Sequence, residues 1–242
     1  MRKTIIAAGL LLAAVQPAHA AHWGYTGDEG PEHWGQLSPE FATCATGKNQ
    51  SPVDLHGFIE SELEPIDFHY QVGGDEVLNN GHTIQVHQAA GSTISLNGHD
   101  YELKQFHFHA PSENRIDGHA YPMEGHLVHA DADGNLAVVA VMFQEGATNP
   151  ALEHAWARMP AHAGESQALP AAVDVQGLLP ANRDYYRYNG SLTTPPCSEG
   201  VVWLVMKHPV TASKAQIEEF AHAMHHPNNR PLQALNARPV LQ

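Results

Sequence analysis

The chain has 242 residues, of which 12 are Lys or Arg and 26 Asp or Glu, giving a formal net charge of −14 with histidine neutral. That length allows one large domain with a real core. The acidity argues against nucleic acid or an anionic membrane surface as partner, since both attract basic faces.

In chain order, the first 20 residues read as an export signal. Arg2 and Lys3 give a positive start, residues 5–15 are apolar, and Ala18-His19-Ala20 has the small-x-small pattern of a cleavage site. Eleven apolar residues are too few to span a bilayer, which takes about 20. Cleavage after Ala20 is expected, and no Cys follows the cut that could carry a lipid anchor. Residues 21–242 then form a single domain with ten basic against 26 acidic residues, soluble in the periplasm or secreted beyond it.

Past the signal there is no internal repeat or linker. Gly and Pro punctuate short β-prone runs at 83–86, 92–96, 101–109, 124–129, 136–143 and 201–206. Asn97-Gly98 and Asp133-Gly134 are hairpin dipeptides. Helices are few, with 150–158 and 213–223 the best segments and Pro209 stopping a strand before the second. The pattern predicts an antiparallel, sheet-dominated fold. Cys44 and Cys197 are the only cysteines. In an exported chain they suggest one disulfide, with a pair of buried thiols as the alternative.

Histidine is abundant, at 19 residues, and one pattern separates a few from the rest. In Gln105-Phe106-His107-Phe108-His109, strand alternation sends Gln105, His107 and His109 to one face and the two phenylalanines to the other. Two histidines about 6.6 Å apart on one strand face can converge on an ion with metal–nitrogen distances near ~2.0–2.1 Å. The same parity in Glu124-Gly125-His126-Leu127-Val128-His129 puts Glu124, His126 and Val128 together. His126 becomes a third ligand if the two strands are neighbours, while His129 faces the other way in a structural role. Three nitrogens leave a fourth tetrahedral position open, the arrangement of a catalytic zinc. Gln105 and Glu124 can orient the ligand rings from behind. Alone, a His-x-His in a strand is more often a satisfied pair than a metal site, and only the third in-phase histidine with its glutamate shifts that balance.

Several segments, in order, resemble the α-class carbonic anhydrases. They are His22-Trp23-Gly24-Tyr25, Gly30-Pro31-Glu32-His33-Trp34, Asn49-Gln50-Ser51-Pro52-Val53-Asp54, Asn79-Asn80-Gly81-His82, the two histidine strands, Gly190-Ser191-Leu192-Thr193-Thr194-Pro195-Pro196-Cys197, and Asn236-Ala237-Arg238-Pro239. The resemblance implies a mainly β (α+β) single domain around a large, mostly antiparallel twisted central sheet with a few short peripheral helices. It implies Zn2+ at His107, His109 and His126, the first two through Nε2 and the third through Nδ1, with Gln105, Glu124 and the backbone carbonyl of Asn236 holding the rings. It implies reversible hydration of carbon dioxide to bicarbonate and a proton by a zinc-held hydroxide. In that scheme the Thr193 hydroxyl accepts a hydrogen bond from the hydroxide and donates to Glu113, which aims the nucleophile. Val128, Val138, Leu192, Val201 and Trp203, with Thr194, match the substrate pocket. His82 matches the proton shuttle, and Tyr25, Asn80, Gln85, Thr193 and Thr194 match residues that order the waters between. Gln85 stands where many members have Asn. The family also implies a Cys44–Cys197 bridge and cis bonds at Ser51–Pro52 and Pro195–Pro196.

On this reading the partners are carbon dioxide and bicarbonate, with no nucleic acid and, after signal removal, no membrane; a homodimer stays open. Two rival readings compete with this one. His107-x-His109-x-x-x-Glu113 resembles the first cupin motif, in which the glutamate is itself a ligand, but Pro122-Met123-Glu124-Gly125-His126 does not fit the second. A binding domain that has lost catalysis usually lacks a zinc histidine, and here all three are present. Metal buffering by His225 and His226 could coexist with catalysis.

Overall fold

Short alternating segments need neighbours on both sides to satisfy their backbone groups, and the chain meets this need with one large sheet and a separate two-stranded one. The computed structural model describes residues 21–242, so the export-signal expectation for residues 1–20 lies outside the described residues. The strands are β1 (Asp54–Leu55), β2 (Asp67–His69), β3 (Gly74–Asn79), β4 (Ile84–Gln88), β5 (Thr93–Leu96), β6 (His99–His109) and β7 (Arg115–Ile116). They continue with β8 (Met123–Ala130), β9 (Leu136–Glu145), β10 (Ser166–Val173), β11 (Tyr185–Ser191), β12 (Glu199–Met206) and β13 (Val210–Ala212). Among the described residues four short α-helices accompany them: α1 (Trp34–Leu37), α2 (Thr43–Thr46), α3 (Pro150–Ala155) and α4 (Lys214–Met224).

The main sheet runs β10-β3-β4-β6-β8-β9-β12-β11, with β5 also on β6, β2 on β5 and β13 on β9. Most pairings are antiparallel, as expected, but β12 and β13 both run parallel to β9. The six strands read from the sequence are all present. Those missed carry weak alternation. β10 is an exposed edge strand with Pro170 inside it, where a missing N–H is tolerated. The helix expected over 150–158 stops at Ala155. The one expected over 213–223 runs Lys214–Met224, opened by a capping box of Ser213 and Gln216. Asn97 and Gly98 both take positive φ, 52° and 75°, as a two-residue type I′ hairpin requires.

The sheet has a core on each face. One contains Phe106, Phe108, Leu127, Val139, Val141, Phe143 and Phe220. The other contains Val138, Ala140, Met142, Val201, Trp203 and Val205. Alternation along β6, β8 and β9 thus splits each strand cleanly between two packed layers. His129 lies in the first layer, fully buried. It shares hydrogen bonds with the Tyr70 hydroxyl at 2.8 Å and the Ala137 carbonyl at 3.3 Å, and burial pushes its pKa down to about 3. A neutral ring with both nitrogens engaged is the structural role expected of it.

Cys44 and Cys197 form a disulfide across 153 residues, which joins the N-terminal helices to the loop carrying Thr193. Cis bonds occur at Ser51–Pro52 and Pro195–Pro196, as the resemblance implied, and also at Ala110–Pro111.

Candidate metal centre

Strand register builds the centre. Gln85 pairs with His107, His107 with His126 and His126 with Ala140, one row across β4, β6, β8 and β9. His109 lies two residues further along β6 on the same face, opposite Glu124. The ring centroids are 5.1 Å apart for His107–His109, 5.3 Å for His107–His126 and 4.6 Å for His109–His126. One nitrogen from each ring lies within 4.8 Å of the others.

The hydrogen bonds fix which nitrogen faces inward. His107 Nδ1 bonds the Gln105 side-chain oxygen at 2.8 Å, and His109 Nδ1 bonds the Asn228 carbonyl at 2.7 Å. His126 Nε2 bonds Glu124 Oε1 at 2.9 Å. Each acceptor claims the N–H of a neutral ring. The inward lone pairs are therefore Nε2, Nε2 and Nδ1. Burial pushes all three pKa values below the usual histidine range, His107 and His126 well below it. Neutral imidazole is the form that ligates metals.

The donor set fits a zinc ion. His109 Nε2 is buried without any hydrogen-bond partner, an arrangement native proteins avoid unless something else satisfies the atom. Among the described residues the grouping of possible ligands stops at these three. Glu113, the extra ligand of a cupin-type set, is not a member of this grouping.

Glu124 is held by four bonds. Its Oε2 accepts from the N–H groups of Glu113 and Asn114 at 2.7 and 2.8 Å, and its Oε1 accepts from Asn114 Nδ2 and His126. Glu113 is 2 % exposed, and burial pushes its pKa up to about 8. The Arg230 N–H, donating to Oε1 at 2.8 Å, and the neighbouring Thr193 side chain oppose that shift. Its Oε2 has no partner at full hydrogen-bond geometry and lies 3.6 Å from His109 Nε2 and 4.0 Å from His126 Nδ1.

One expectation fails. The carbonyl that holds His109 belongs to Asn228, whereas Asn236 is exposed and donates its side-chain amide to the Lys48 carbonyl. The chain contains the pattern Asn-x-Arg-Pro twice, at 228–231 and at 236–239, and the resemblance was laid on the second copy. Burial distinguishes them. Asn228 is fully buried and Arg230 is 2 % exposed. Arg230 donates to Gln50 Oε1 and to the carbonyls of Ser51 and Cys44, while Arg238 works at the surface on the carbonyls of Gln50, Asn189, Ala234 and Leu235. Asn228 also donates to the carbonyls of His82 and Phe108 and accepts from the Ala110 N–H. Asn228→Ala is expected to cost about 2–4 kcal/mol, since buried partners are left unsatisfied at roughly 1–3 kcal/mol each. The carbonyl that holds His109 is backbone and survives the substitution, so zinc affinity should fall by less than the about 10–100-fold that outright loss of an orienting group costs. Urea unfolding with and without zinc measures both effects.

The remaining residues surround a cleft of about 130 Å³ lined by Tyr25, Asn80, His82, Gln85, Thr194 and the rings of His107 and His109, among others. His82 is half-buried and stacks on Trp23, with centroids 3.7 Å apart and planes 8° apart. Its pKa is lowered by burial first, then by His22 and His226. Val138, Val201 and Trp203 sit in the core layer behind the histidines, with Val128 and Leu192 packed against it. The Trp203 ring is 4.9 Å from that of His126. Gly190 must stay small, because a Cβ there would come within 2.1 Å of Ser51 Oγ and 2.9 Å of Trp203. Asn114, Asn228 and Arg230 escaped the sequence reading. For Asn114 the adjacency to Glu113 was the available signal, and for the other two it was the repeated tetrapeptide.

A three-histidine centre at the floor of a cleft in a broad twisted sheet defines a class of metal-dependent enzymes acting on small molecules. Residues 29–242 match the family described as eukaryotic-type carbonic anhydrase. The chain is 51 % identical to a carbonic anhydrase of Pectobacterium atrosepticum over 96 % of both chains, and 48 % identical to one of Klebsiella pneumoniae over the full length of both. A solved α-carbonic anhydrase of Thermovibrio ammonificans, in complex with sulfanilamide, superposes with a TM-score of 0.91 at 50 % identity, covering 93 % of this chain and all of the other. The chain belongs to the α-class carbonic anhydrase family, the enzymes of carbon dioxide hydration.

Proposed function

We propose that this chain hydrates carbon dioxide reversibly at a zinc ion held by His107 Nε2, His109 Nε2 and His126 Nδ1, and that His82 carries the released proton to buffer. The observation that carries the reading is the set of three inward lone pairs, each fixed by an acceptor on the far side of its ring. Zinc, when bound, supplies the Lewis acidity that makes hydroxide available near neutral pH, as is established for carbonic anhydrases themselves.

The chain's own residues do the rest. Gln105, Glu124 and the Asn228 carbonyl hold the rings and keep them basic. Beside a bound zinc, Glu113 would hold its carboxylate form against the upward push of burial. The Thr193 hydroxyl then donates to Glu113 and has only lone pairs left to offer the nucleophile, so orientation is settled before substrate arrives. Carbon dioxide has no charge to grip, and Val128, Val138, Leu192, Val201 and Trp203 offer it an apolar wall. Tyr25, Asn80, Gln85 and Thr194 order water along the cleft towards His82, whose imidazole can take up a proton and pass it on. Residues 1–20 direct export and are removed, leaving residues 21–242 in the periplasm or outside the cell, where the Cys44–Cys197 bridge is stable.

Stopped-flow carbon dioxide hydration on the chain from Ala21 tests the reading. Turnover well above the buffer rate is expected. It should vanish after treatment with a zinc chelator and return on adding zinc. A protein whose hydration rate ignores the chelator overturns the proposal.

A further inference from the structure

A single residue, Phe108, separates His107 from His109, and its backbone sets how both side chains leave the strand. On one side β8 holds this stretch, with Phe108 opposite Gly125 and His109 opposite Glu124. On the other side the ladder to β4 stops early. Its pairs are His87–Gln105, Val86–Phe106 and Gln85–His107, and Phe108 has no partner in it. Phe108 is buried, so an open amide or carbonyl there would cost free energy. A side chain fills the gap. Thr83, the residue just before β4, accepts from the Phe108 N–H at 3.2 Å and donates its hydroxyl to the Phe108 carbonyl at 2.6 Å. The competing acceptor, the Ile84 carbonyl, is further away at 3.3 Å. One hydroxyl thus does what a peptide group of β4 would have done. Thr83 is itself fixed. It is buried, its N–H donates to Asn80 Oδ1 at 2.9 Å, and its carbonyl accepts from the Asn80 N–H at 3.2 Å. It also lines the cleft beside His107 and His109.

We propose that Thr83 is a positioning residue for the metal centre: its hydroxyl fixes the Phe108 backbone and, through it, the directions of the His107 and His109 side chains. The inference deepens the metal reading above and rests on it. Gln105 and the Asn228 carbonyl each set the turn of one ring, but neither ties the two ligands to each other along the strand. Thr83 does, because it holds both polar groups of the residue between them. A tilt of either peptide plane at Phe108 would swing a neighbouring Cα–Cβ bond, and metal–ligand distances tolerate only about 0.2 Å. Asn228 Nδ2 donates to the same Phe108 carbonyl at 3.0 Å, so the brace for the His109 ring and the brace for the strand meet on one peptide.

The test compares the chain from Ala21 as wild type, Thr83→Val and Thr83→Ser. Valine keeps the shape and loses the hydroxyl; serine keeps the hydroxyl. Release of zinc into a chelator, well below the melting temperature, should be about tenfold faster in Thr83→Val and within about twofold of wild type in Thr83→Ser, the former at the low end of what loss of an outer orienting group costs. The visible absorption of the Co2+-loaded protein reads ligand geometry and not fold stability. It should change in Thr83→Val and keep its wild-type shape in Thr83→Ser. Wild-type release and spectrum in Thr83→Val overturn the proposal. So does a Thr83→Ser variant as impaired as Thr83→Val, because packing and not the hydroxyl is then responsible. If Thr83→Val does not fold, Thr83→Ala removes the same hydroxyl with less bulk, and the same outcomes decide. A wild type that binds neither ion sinks the metal reading instead, so the two failures are distinguishable.

Discussion

His109→Ala should lose zinc and carbon dioxide hydration together. The ring is 1 % exposed, its Nδ1 is anchored to Asn228, and its Nε2 has no other partner, so nothing can take over its place in the ligand set. Removing a ligand should weaken zinc by well over the ~10–100-fold typical for loss of an orienting group. Metal analysis after dialysis should find the wild type loaded and the variant empty. A second readout separates this from mere damage. Zinc at about 1,000 times its dissociation constant adds ~4 kcal/mol to the stability of a protein that binds it only when folded. The wild-type melting temperature should rise with zinc and that of His109→Ala should not. A variant that keeps both zinc and turnover contradicts the three-nitrogen centre.

The second large effect is expected from Glu113→Gln. The substitution keeps the shape of a fully buried side chain and removes no ligand, so zinc content and fold should be retained. The change lies in hydrogen-bond direction. A glutamine amide beside Thr193 can donate to the hydroxyl, which then points its own hydrogen the other way. The nucleophile loses its fixed orientation, and kcat should drop about 10²–10³-fold, the scale seen when one preorganised hydrogen-bonding group is lost. Stopped-flow hydration beside zinc analysis decides it: full turnover with full zinc removes Glu113 from the orienting role.

Much of this centre was legible because strand geometry is a rule of period two. Parity put Gln105, His107 and His109 on one face of their strand and Glu124 and His126 on one face of theirs, and the observed register makes the two strands neighbours. The two phenylalanines between the histidines entered the opposite core layer for the same reason. What parity cannot supply is long-range partner choice. Asn228 reaches His109 across 119 residues, and two copies of Asn-x-Arg-Pro offered themselves for that place. Only burial separates them, and burial is a property of the finished fold. The parallel pairing of β12 and β13 with β9 was hidden likewise, since strand direction is set by the connections between strands and not by residue alternation. The exposed edge strand β10 lacks alternation because nothing packs on most of its side chains.

The residues behind the centre have one more consequence. His107, His109 and His126 fall within 20 positions of one another, yet the backbone atom that steadies His109 comes from the final 15 residues of the chain. A polypeptide clipped shortly before Asn228 would still carry every liganding ring and most of the sheet, but would lack the brace for the middle one and the N–H that reaches Glu113. Competence at the metal is thereby tied to an intact C-terminal tail, and proteolytic nicking there would silence the catalyst while leaving most of its scaffold standing.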